Sequence, residues 1–188
     1  MFEIFNTLNE PGNDRFRTNP YAAHARMFNS AIHRFNNILS KGRLARTWAF
    51  FTGRRVGLIN LAEYSLKLNS SSYAGIKSVP IHNIHGTEGK SGDFDSQFHP
   101  IHERSRDRWV SVAMARCEGI GLPAVELIQI GESYFVRDGH HRISVARSMG
   151  QEQIDAYVTV WQVAGPLSWQ GAENHPASRF ISFGYVFR

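Results

Sequence analysis

The run from residue 134 to residue 147 most strongly limits how this chain of 188 residues can fold. Residues 134–137 have the aromatic and β-branched character of a strand, and the apolar spacing after residue 140 is typical of a helix. The sequence Asp-Gly-His-His-Arg stands between them, at 138–142. Because Gly139 permits a sharp change of direction, the sequence predicts a strand that passes directly into a helix.

This strand-to-helix junction is expected to bind phosphate. The first N–H groups of a helix have no partner within the helix, and the helix dipole adds partial positive charge at the same place. We expect phosphate contacts from Asp138, Gly139, His140, His141 and Arg142, with Arg142 gripping two phosphate oxygens. One of the two histidines could act as an acid or a base near neutral pH. Asp138 has two alternative roles, as the cap of the helix or as a ligand of a metal that bridges phosphates.

Composition sets wider limits. Hydrophobic residues make up 42% of the chain, enough for the core of one domain of ordinary size. No run approaches the roughly 20 apolar residues that a membrane span needs, and the first residues lack the basic start of a signal peptide. Cys117 is the single cysteine, so an internal disulfide is excluded and a cytoplasmic location is expected.

The positive charge is concentrated in the first third of the chain. Residues 1–60 hold nine Lys and Arg against three Asp and Glu, a net charge of +6. Residues 61–188 hold twelve against thirteen, a net charge of −1. This asymmetry indicates contact with a polyanion, most simply DNA, and the alternative is a solvated basic surface.

The N-terminal third is predicted to be helical. Apolar residues recur at helical spacing in 20–40, and Lys41-Gly42 is expected to end this first helix. Further helices are predicted at 44–51 and 58–68, followed by a polar linker at 69–75. Arginines alternate with aromatic residues near the second helix, a pattern that suits single-stranded nucleic acid. We expect the rings of Trp48, Phe50 and Phe51 to belong to the core and only the arginines (Arg43, Arg46, Arg54 and Arg55) to bind.

The remainder of the chain predicts alternating strands and helices. An edge strand is expected at 77–81, where Pro80 cannot donate to a neighbouring strand. A helix is expected at 104–118, a strand pair at 124–130 and 134–137, a helix at 141–149 and a last strand at 154–161. The tail after residue 164 is aromatic and irregular.

The block from Val79 to Trp161 resembles the ParB/sulfiredoxin superfamily in the order of these elements. Asp-Gly-His-His-Arg at 138–142 is similar to the motif of the ADP-dependent free serine kinases of that fold. The resemblance implies an α+β fold with a ParB/sulfiredoxin-like mixed sheet and flanking helices. It also implies three parts: a basic helical region at 1–75, a nucleotide- and phosphate-binding domain at 76–163, and an aromatic tail at 164–188.

Two departures narrow the activity that the resemblance implies. His140 stands where sulfiredoxins have their catalytic cysteine, so sulfinic acid reduction is not expected. The 27 residues after Trp161 leave no room for the helix-turn-helix domain of chromosomal ParB. The overall plan resembles plasmid-encoded fertility-inhibition proteins of the Osa type.

That resemblance implies ATP binding and hydrolysis with Mg²⁺ or a similar divalent metal, together with DNase activity that blocks conjugative DNA transfer. The implied partners are a nucleotide, DNA bound with little sequence specificity by the basic region, and a component of the DNA-transfer apparatus. One alternative is a small-molecule phosphotransferase of the free-serine-kinase type. The other is a non-catalytic, nucleotide-gated inhibitor of transfer.

The loop at 86–95 supplies further candidates. Its Gly-Lys-Ser sequence does not satisfy the phosphate-loop motif, because Gly86 lies three positions before Gly89 where the motif requires five, and no clear helix follows Ser91. We expect Glu88 to activate a water or hydroxyl, Lys90 to balance charge, and Asp93 and Asp95 to hold Mg²⁺. The alternative is a solvated loop.

Two other sets of residues are weaker candidates. Arg104 is expected to contact nucleotide phosphates, as the resemblance implies for its helix, and Arg106 and Arg108 follow at a spacing of two. Such spacing places at most two of the three toward one ligand. The pairs His82/His85 and His99/His102 lack the additional ligands that a zinc site requires.

Overall fold

The computed structural model describes residues 19–53, 57–89 and 92–164, and within them the chain is mixed α+β, as predicted. The main elements are α1 (Pro20–Thr52), β1 (Ile59–Asn60), β2 (Lys67–Pro80), β3 (Ile84–Thr87), α2 (Arg106–Cys117), β4 (Val125–Ile130), β5 (Ser133–Asp138), α3 (His140–Ser148) and β6 (Gln153–Ala164). Short 3₁₀ turns occupy Leu61–Glu63, Ile81–Asn83 and Glu103–Ser105.

The six strands form one mixed sheet in the order β1-β3-β5-β4-β6-β2. The pairs β1/β3, β3/β5 and β4/β6 are parallel, while β4/β5 and β2/β6 are antiparallel. β2 lies at one edge, which confirms the edge position expected from Pro80. Since β5 is an inner strand, the junction that follows it is anchored on both sides.

The helices pack in layers on one face of the sheet. Ile143 and Ala146 of α3 join a buried cluster with Val125, Leu127 and Val136 of the strands. Trp109 of α2 is fully buried, lies 5.7 Å from Phe35 of α1 between ring centroids, and donates to the Ser144 hydroxyl of α3 over 2.9 Å. The three helices therefore fix one another, and α2 is held beside the start of α3.

The prediction that Lys41-Gly42 ends a helix is wrong, because α1 is one continuous helix of 33 residues. Gly42 is buried, and a Cβ there would lie 2.6 Å from the carbonyl oxygen of Pro100. This glycine serves close packing of the helix against a loop. α1 ends instead at Gly53, whose φ of +66° is the usual left-handed helix end.

The prediction that the aromatic rings of α1 belong to the core is also wrong. Trp48, Phe50 and Phe51 are 66%, 86% and 77% exposed. The reason is a mismatch of length, since α1 has 33 residues and α2, its main helical neighbour, has only 12. The C-terminal part of α1 extends past α2, where Ala49 is the one apolar residue after Gly42 that remains buried.

The predicted helix at 58–68 and the predicted linker at 69–75 are wrong as well. Residues 58–68 contain β1, a 3₁₀ turn and the start of β2, and 69–75 lie within β2, which crosses the expected boundary at residue 75. β2 pairs along β6 with two irregularities in register. Its Ser and Asn side chains are exposed, so an edge strand resembles a polar linker in composition.

The helices predicted at 104–118 and 141–149 and the strands predicted at 124–130, 134–137 and 154–161 are confirmed, with ends displaced by at most three residues. The edge strand predicted at 77–81 is the last part of the longer strand β2. The predicted N-terminal arm and nearly all of the aromatic tail lie outside the described residues. In the described ranges, no helix combines the length and the apolar character required to cross a membrane.

Candidate functional site

A cavity of about 400 Å³ opens at the N-terminus of α3. Four segments surround it: the loop before α2, α2 itself, the loop before β4, and the β5–α3 junction. Its lining residues are Asp93, Phe94, Arg108, Val112, Leu122, Pro123, Asp138, Gly139, His140, His141 and Arg142. The complete predicted motif at 138–142 therefore lies in one cavity.

The β5–α3 junction has the geometry that the sequence predicts. Gly139 is the N-cap of α3 with φ +104° and ψ 19°, and a Cβ there would lie 2.5 Å from Cγ1 of Val125. The Ile143 N–H donates to the Gly139 carbonyl over 3.0 Å and begins the helix. Among the described residues no side chain caps α3 at Gly139, and the Asp138 carboxylate pairs with Arg142 instead, so the alternative of Asp138 as the helix cap is not met. As in any helix, the first N–H groups of α3 have no partner within the helix.

Arg142 is held more tightly than the sequence suggested. Its Nη1 donates to the carbonyl oxygens of Pro123 and Ala124 over 2.6 and 2.7 Å, and its Nη2 pairs with Asp138. These contacts fasten the first turn of α3 to the chain entering β4. In this arrangement the guanidinium holds the junction in its orientation. The bidentate contact of Arg142 with phosphate that the sequence predicted would require several of these hydrogen bonds to break.

The two histidines face different surroundings. His140 is 9% exposed, with Nε2 at 2.8 Å from the hydroxyl of Thr87. That hydroxyl donates to the Val136 carbonyl over 3.2 Å, so it accepts from Nε2 of His140. The His140 ring also stacks on Phe94, with centroids 6.0 Å apart. His140 therefore ties α3 to β3.

His141 is the histidine available for chemistry. Its ring meets Phe94 edge-on, with centroids 5.2 Å apart, and its Nδ1 is buried without a hydrogen-bond partner among the described residues. Burial lowers the pKa of His141 below its usual 6.5, and the nearby charge of Arg108 lowers it further. Neutral imidazole is therefore the main form at pH 7, and it can accept a proton.

The lowered pKa of His141 predicts a pH-dependent stability. The folded state resists protonation of this ring. The contribution of His141 to the free energy of unfolding is therefore complete above pH 6.5 and is lost as the pH falls through the pKa that His141 has in the folded state. We expect His141→Gln to reduce the loss of stability between pH 8 and pH 5, measured as the shift in urea midpoint. Exposed His82, changed to Gln, is the control. Equal pH dependence in wild type and His141→Gln would refute this account of His141.

Glu88, the expected general base, lies outside the cavity. Its carboxylate accepts from Nε and Nη2 of Arg137 over 2.9 and 3.3 Å. Arg137 lies 5.9 Å from the ring centroid of Trp161. Because Arg137 directly precedes Asp138 on β5, the side chains of Arg137 and Asp138 point to opposite faces of the sheet. The hydrogen bond with Glu88 raises the pKa of Arg137. The expectation that Glu88 serves this cavity is not met, and Lys90 lies outside the described residues.

The three predicted metal ligands separate into two groups. Asp93 and Asp138 line the cavity, and Asp93 is held by Arg104, whose Nε lies 3.1 Å away. Asp95 is 2% exposed and accepts from the N–H groups of Gln97 and His99 and from the His99 ring, all within 2.9 Å. Asp95 therefore holds its own loop together and does not reach the cavity.

The carboxylates of the cavity are compatible only with a magnesium ion that brings most of its ligands with it. No group of three or more His, Cys, Asp or Glu gathers within the described ranges. Mg²⁺ commonly takes only one or two carboxylates and completes its shell with phosphate oxygens and water. Asp93 and Asp138 can supply such carboxylates beside the N-terminus of α3.

Sequence reasoning named Arg108 only as one of three candidate arginines and did not identify the apolar wall. Of the three arginines spaced by two, Arg108 lines the cavity, Arg104 pairs with Asp93, and Arg106 lies near Asp107 at the surface. Val112, one helical turn after Arg108, also lines the cavity, and this i,i+4 relation was the available signal. Among the described residues, Arg108 has no ion-pair partner.

Comparisons with protein-family models, with curated proteins and with solved structures gave no match. The ParB/sulfiredoxin resemblance therefore stays a prediction, carried by the motif at 138–142 and by the order of the elements.

Proposed function

We propose that this chain binds ATP with its phosphates at the N-terminus of α3, hydrolyses it, and cuts DNA phosphodiesters as a ParB-like DNase. The observation that carries the proposal is a cavity that brings together the N-terminus of α3 and Arg108, which has no ion-pair partner among the described residues. In a plasmid setting, such an activity would serve fertility inhibition by acting on DNA in transfer.

The phosphate end of the ligand is matched by three features. The first turn of α3 offers backbone donors and the positive end of a helix dipole. Arg108 offers a guanidinium without an ion-pair partner among the described residues, and Gly139 lets the ligand approach the backbone closely. Arg142 and Asp138 hold this turn in place.

The nucleoside end is matched by the apolar part of the cavity. Phe94, Val112, Leu122 and Pro123 form this wall. A volume of about 400 Å³ falls within the roughly 300–1,000 Å³ typical of small-molecule sites. A ligand with an anionic end and a flat apolar end, as in a nucleotide, satisfies both halves of the cavity.

The chemistry assigned to the cavity is the attack of water on phosphorus. Neutral His141 accepts the proton of the attacking water, the new P–O bond forms, and the bond to the leaving phosphate or sugar oxygen breaks. Arg108 and the backbone donors stabilise the charge that develops on the phosphoryl oxygens. Mg²⁺, when bound with the nucleotide at Asp93 and Asp138, would neutralise phosphate charge.

A second candidate is a nucleotide-gated inhibitor that binds DNA without cutting it. The observation that favours it is the engagement of Glu88 with Arg137, which removes the expected carboxylate base from the cavity. A serine kinase, the third possibility, shares the same phosphate site and differs in the acceptor of the phosphoryl group.

One assay separates these functions. The purified protein is incubated with Mg²⁺, ATP and plasmid DNA, with and without serine, beside His141→Gln and the exposed control His82→Gln. We expect phosphate release and DNA nicking by wild type and by His82→Gln. Because general bases commonly contribute about 10²–10⁴-fold, His141→Gln should lose at least about 10²-fold of both activities.

The other outcomes are equally informative. Phosphoserine formation would identify a kinase and exclude the proposed DNase. ATP binding without phosphate release or nicking would identify the inhibitor. Turnover that is unchanged in His141→Gln would remove His141 from the mechanism.

A further inference from the structure

The C-terminal part of α1 forms one side of an open groove of about 1,000 Å³. Arg43, Arg46, Thr47 and Phe50 follow the i, i+3, i+4, i+7 pattern, so they share one helical face. Ile101 and His102 lie on the other side of the groove. We call this region, completed by Phe51, the α1 groove.

Two exposed rings mark the end of the α1 groove. Phe50 and Phe51 are 86% and 77% exposed, and their centroids lie 5.7 Å apart at an interplanar angle of 81°. Within the described residues these rings have no core to fill. Exposed rings of this kind can each stack with a flat aromatic partner.

The charge of α1 selects an anionic partner. The helix carries Arg26, Arg34, Lys41, Arg43 and Arg46 and contains no Asp or Glu. Arg34 is already used, since it donates to the Ser148 carbonyl over 2.7 Å. Arg43 makes a solvent-exposed contact of 3.2 Å with Glu103, and Arg46 has no ion-pair partner among the described residues. An exposed pair of that kind is weak and exchanges readily for a phosphate.

We propose that the α1 groove binds single-stranded DNA, with bases stacked on Phe50 and Phe51 and phosphates held by Arg43 and Arg46. Stacking platforms beside arginines are the general device by which proteins hold unpaired strands. Duplex DNA shields the faces of its bases, so the exposed rings favour a single strand. This inference rests on the proposed function for the choice of DNA as the polymer.

The α1 groove and the α3 cavity share one loop. Asp93 lines the cavity and Ile101 lines the groove, and the Ile101 N–H donates to the Asp93 carbonyl over 3.1 Å. Arg104, just beyond His102, binds the Asp93 carboxylate. A strand in the groove therefore lies against the same loop that supplies the cavity with a carboxylate.

The test is fluorescence anisotropy with a labelled 20-nucleotide oligo(dT), alone and as a duplex with oligo(dA), added to the full chain without nucleotide. We expect wild type to bind the single strand more tightly than the duplex. The double variant Phe50→Ala/Phe51→Ala should bind the single strand at least about tenfold more weakly, given the usual contribution of base stacking. Tyr21→Ala is the matched control, because Tyr21 is an 83% exposed ring at the other end of α1.

The arginines are tested by the dependence of binding on salt. Arg46→Gln should lower the slope of log affinity against log salt by about 0.7, the value for one phosphate contact on a single strand. Arg26→Gln, an exposed change on the same helix, should leave the slope unchanged. A slope that falls equally in both variants would show that the charge of α1 acts without a localised site, against the proposal.

Other results would overturn the proposal or separate it from the proposed function. Unchanged affinity in the double phenylalanine variant, or equal binding of duplex and single strand, would refute it. A third result would also refute it: wild type that binds no oligonucleotide but self-associates by light scattering, with that self-association lost in the double variant. The two rings would then be assigned to contact with a second copy of the chain. Arg108→Ala should still bind the oligonucleotide, because Arg108 lies outside the α1 groove. Wild-type protein that binds the strand but does not bind ATP would refute the cavity assignment and leave the groove proposal standing.

Discussion

Replacing Gly139 with alanine is expected to lower the free energy of unfolding by roughly 3–5 kcal/mol. Two costs combine at this position. Its φ of +104° is unfavourable for a residue with a side chain, and the added Cβ would lie 2.5 Å from Cγ1 and 2.8 Å from Cβ of Val125. Val125 is fully buried in an inner strand, so it cannot move aside cheaply. Urea denaturation followed by circular dichroism measures the change.

Gly150 supplies the matched control for this prediction. Its φ of +76° is also left-handed, but a Cβ there would meet nothing within 4 Å. Gly150→Ala should therefore cost only the backbone part, about 1 kcal/mol. In a double-mutant cycle, Val125→Ala should recover part of the loss caused by Gly139→Ala. Equal destabilisation by the two glycine variants would show that the close approach of the junction to β4 is not limiting.

Local patterns predicted the part of the fold that carries the cavity. β4, β5, α3 and β6 were expected within one to three residues of where they lie. Their signals are short-range: alternation in the strands, glycine in the turns and apolar spacing in the helix. The strand-to-helix junction was predictable because Gly139 must adopt a backbone conformation that other residues avoid.

The errors arose where distant segments decide the structure. Gly42 looks like a helix end in isolation, and it is a packing contact with the loop at 99–101. The polar residues of β2 look like a linker, and only their pairing with β6 makes them a strand. Neither partner could be identified from the residues around these positions.

The sequence predicted where the candidate site lies, but it predicted the roles of the individual site residues only in part. The 138–142 motif does line one cavity, but Arg142 binds Pro123, Ala124 and Asp138, partners that no local pattern reveals. Glu88 lies outside the cavity because Arg137 holds it. Helical spacing shows which residues share a face, yet the direction of that face depends on how α2 packs on α1 and α3. The sequence therefore left Arg108 as one of three candidate arginines, and the structure shows that it is the one of the three that lines the cavity.

Arg108 is expected to contribute most of the side-chain affinity for the nucleotide phosphates. It is the cavity arginine without an ion-pair partner among the described residues, whereas Arg142 is already bonded to Pro123, Ala124 and Asp138. A charge-assisted hydrogen bond contributes about 1.5–3 kcal/mol, so Arg108→Ala should weaken ATP binding by about 10- to 100-fold. Removing this charge should also raise the pKa of His141, because Arg108 helps to lower it.

The central claim, that the N-terminus of α3 and Arg108 form a nucleotide-phosphate site, is tested most directly by isothermal titration of the intact chain with ATP and Mg²⁺. Arg106→Ala is the matched control, since Arg106 lies two residues earlier on α2 and is exposed outside the cavity. We predict equal ATP affinity for wild type and Arg106→Ala, and affinity at least about tenfold lower for Arg108→Ala. Absence of ATP binding by wild type, or equal weakening in both variants, would contradict the claim.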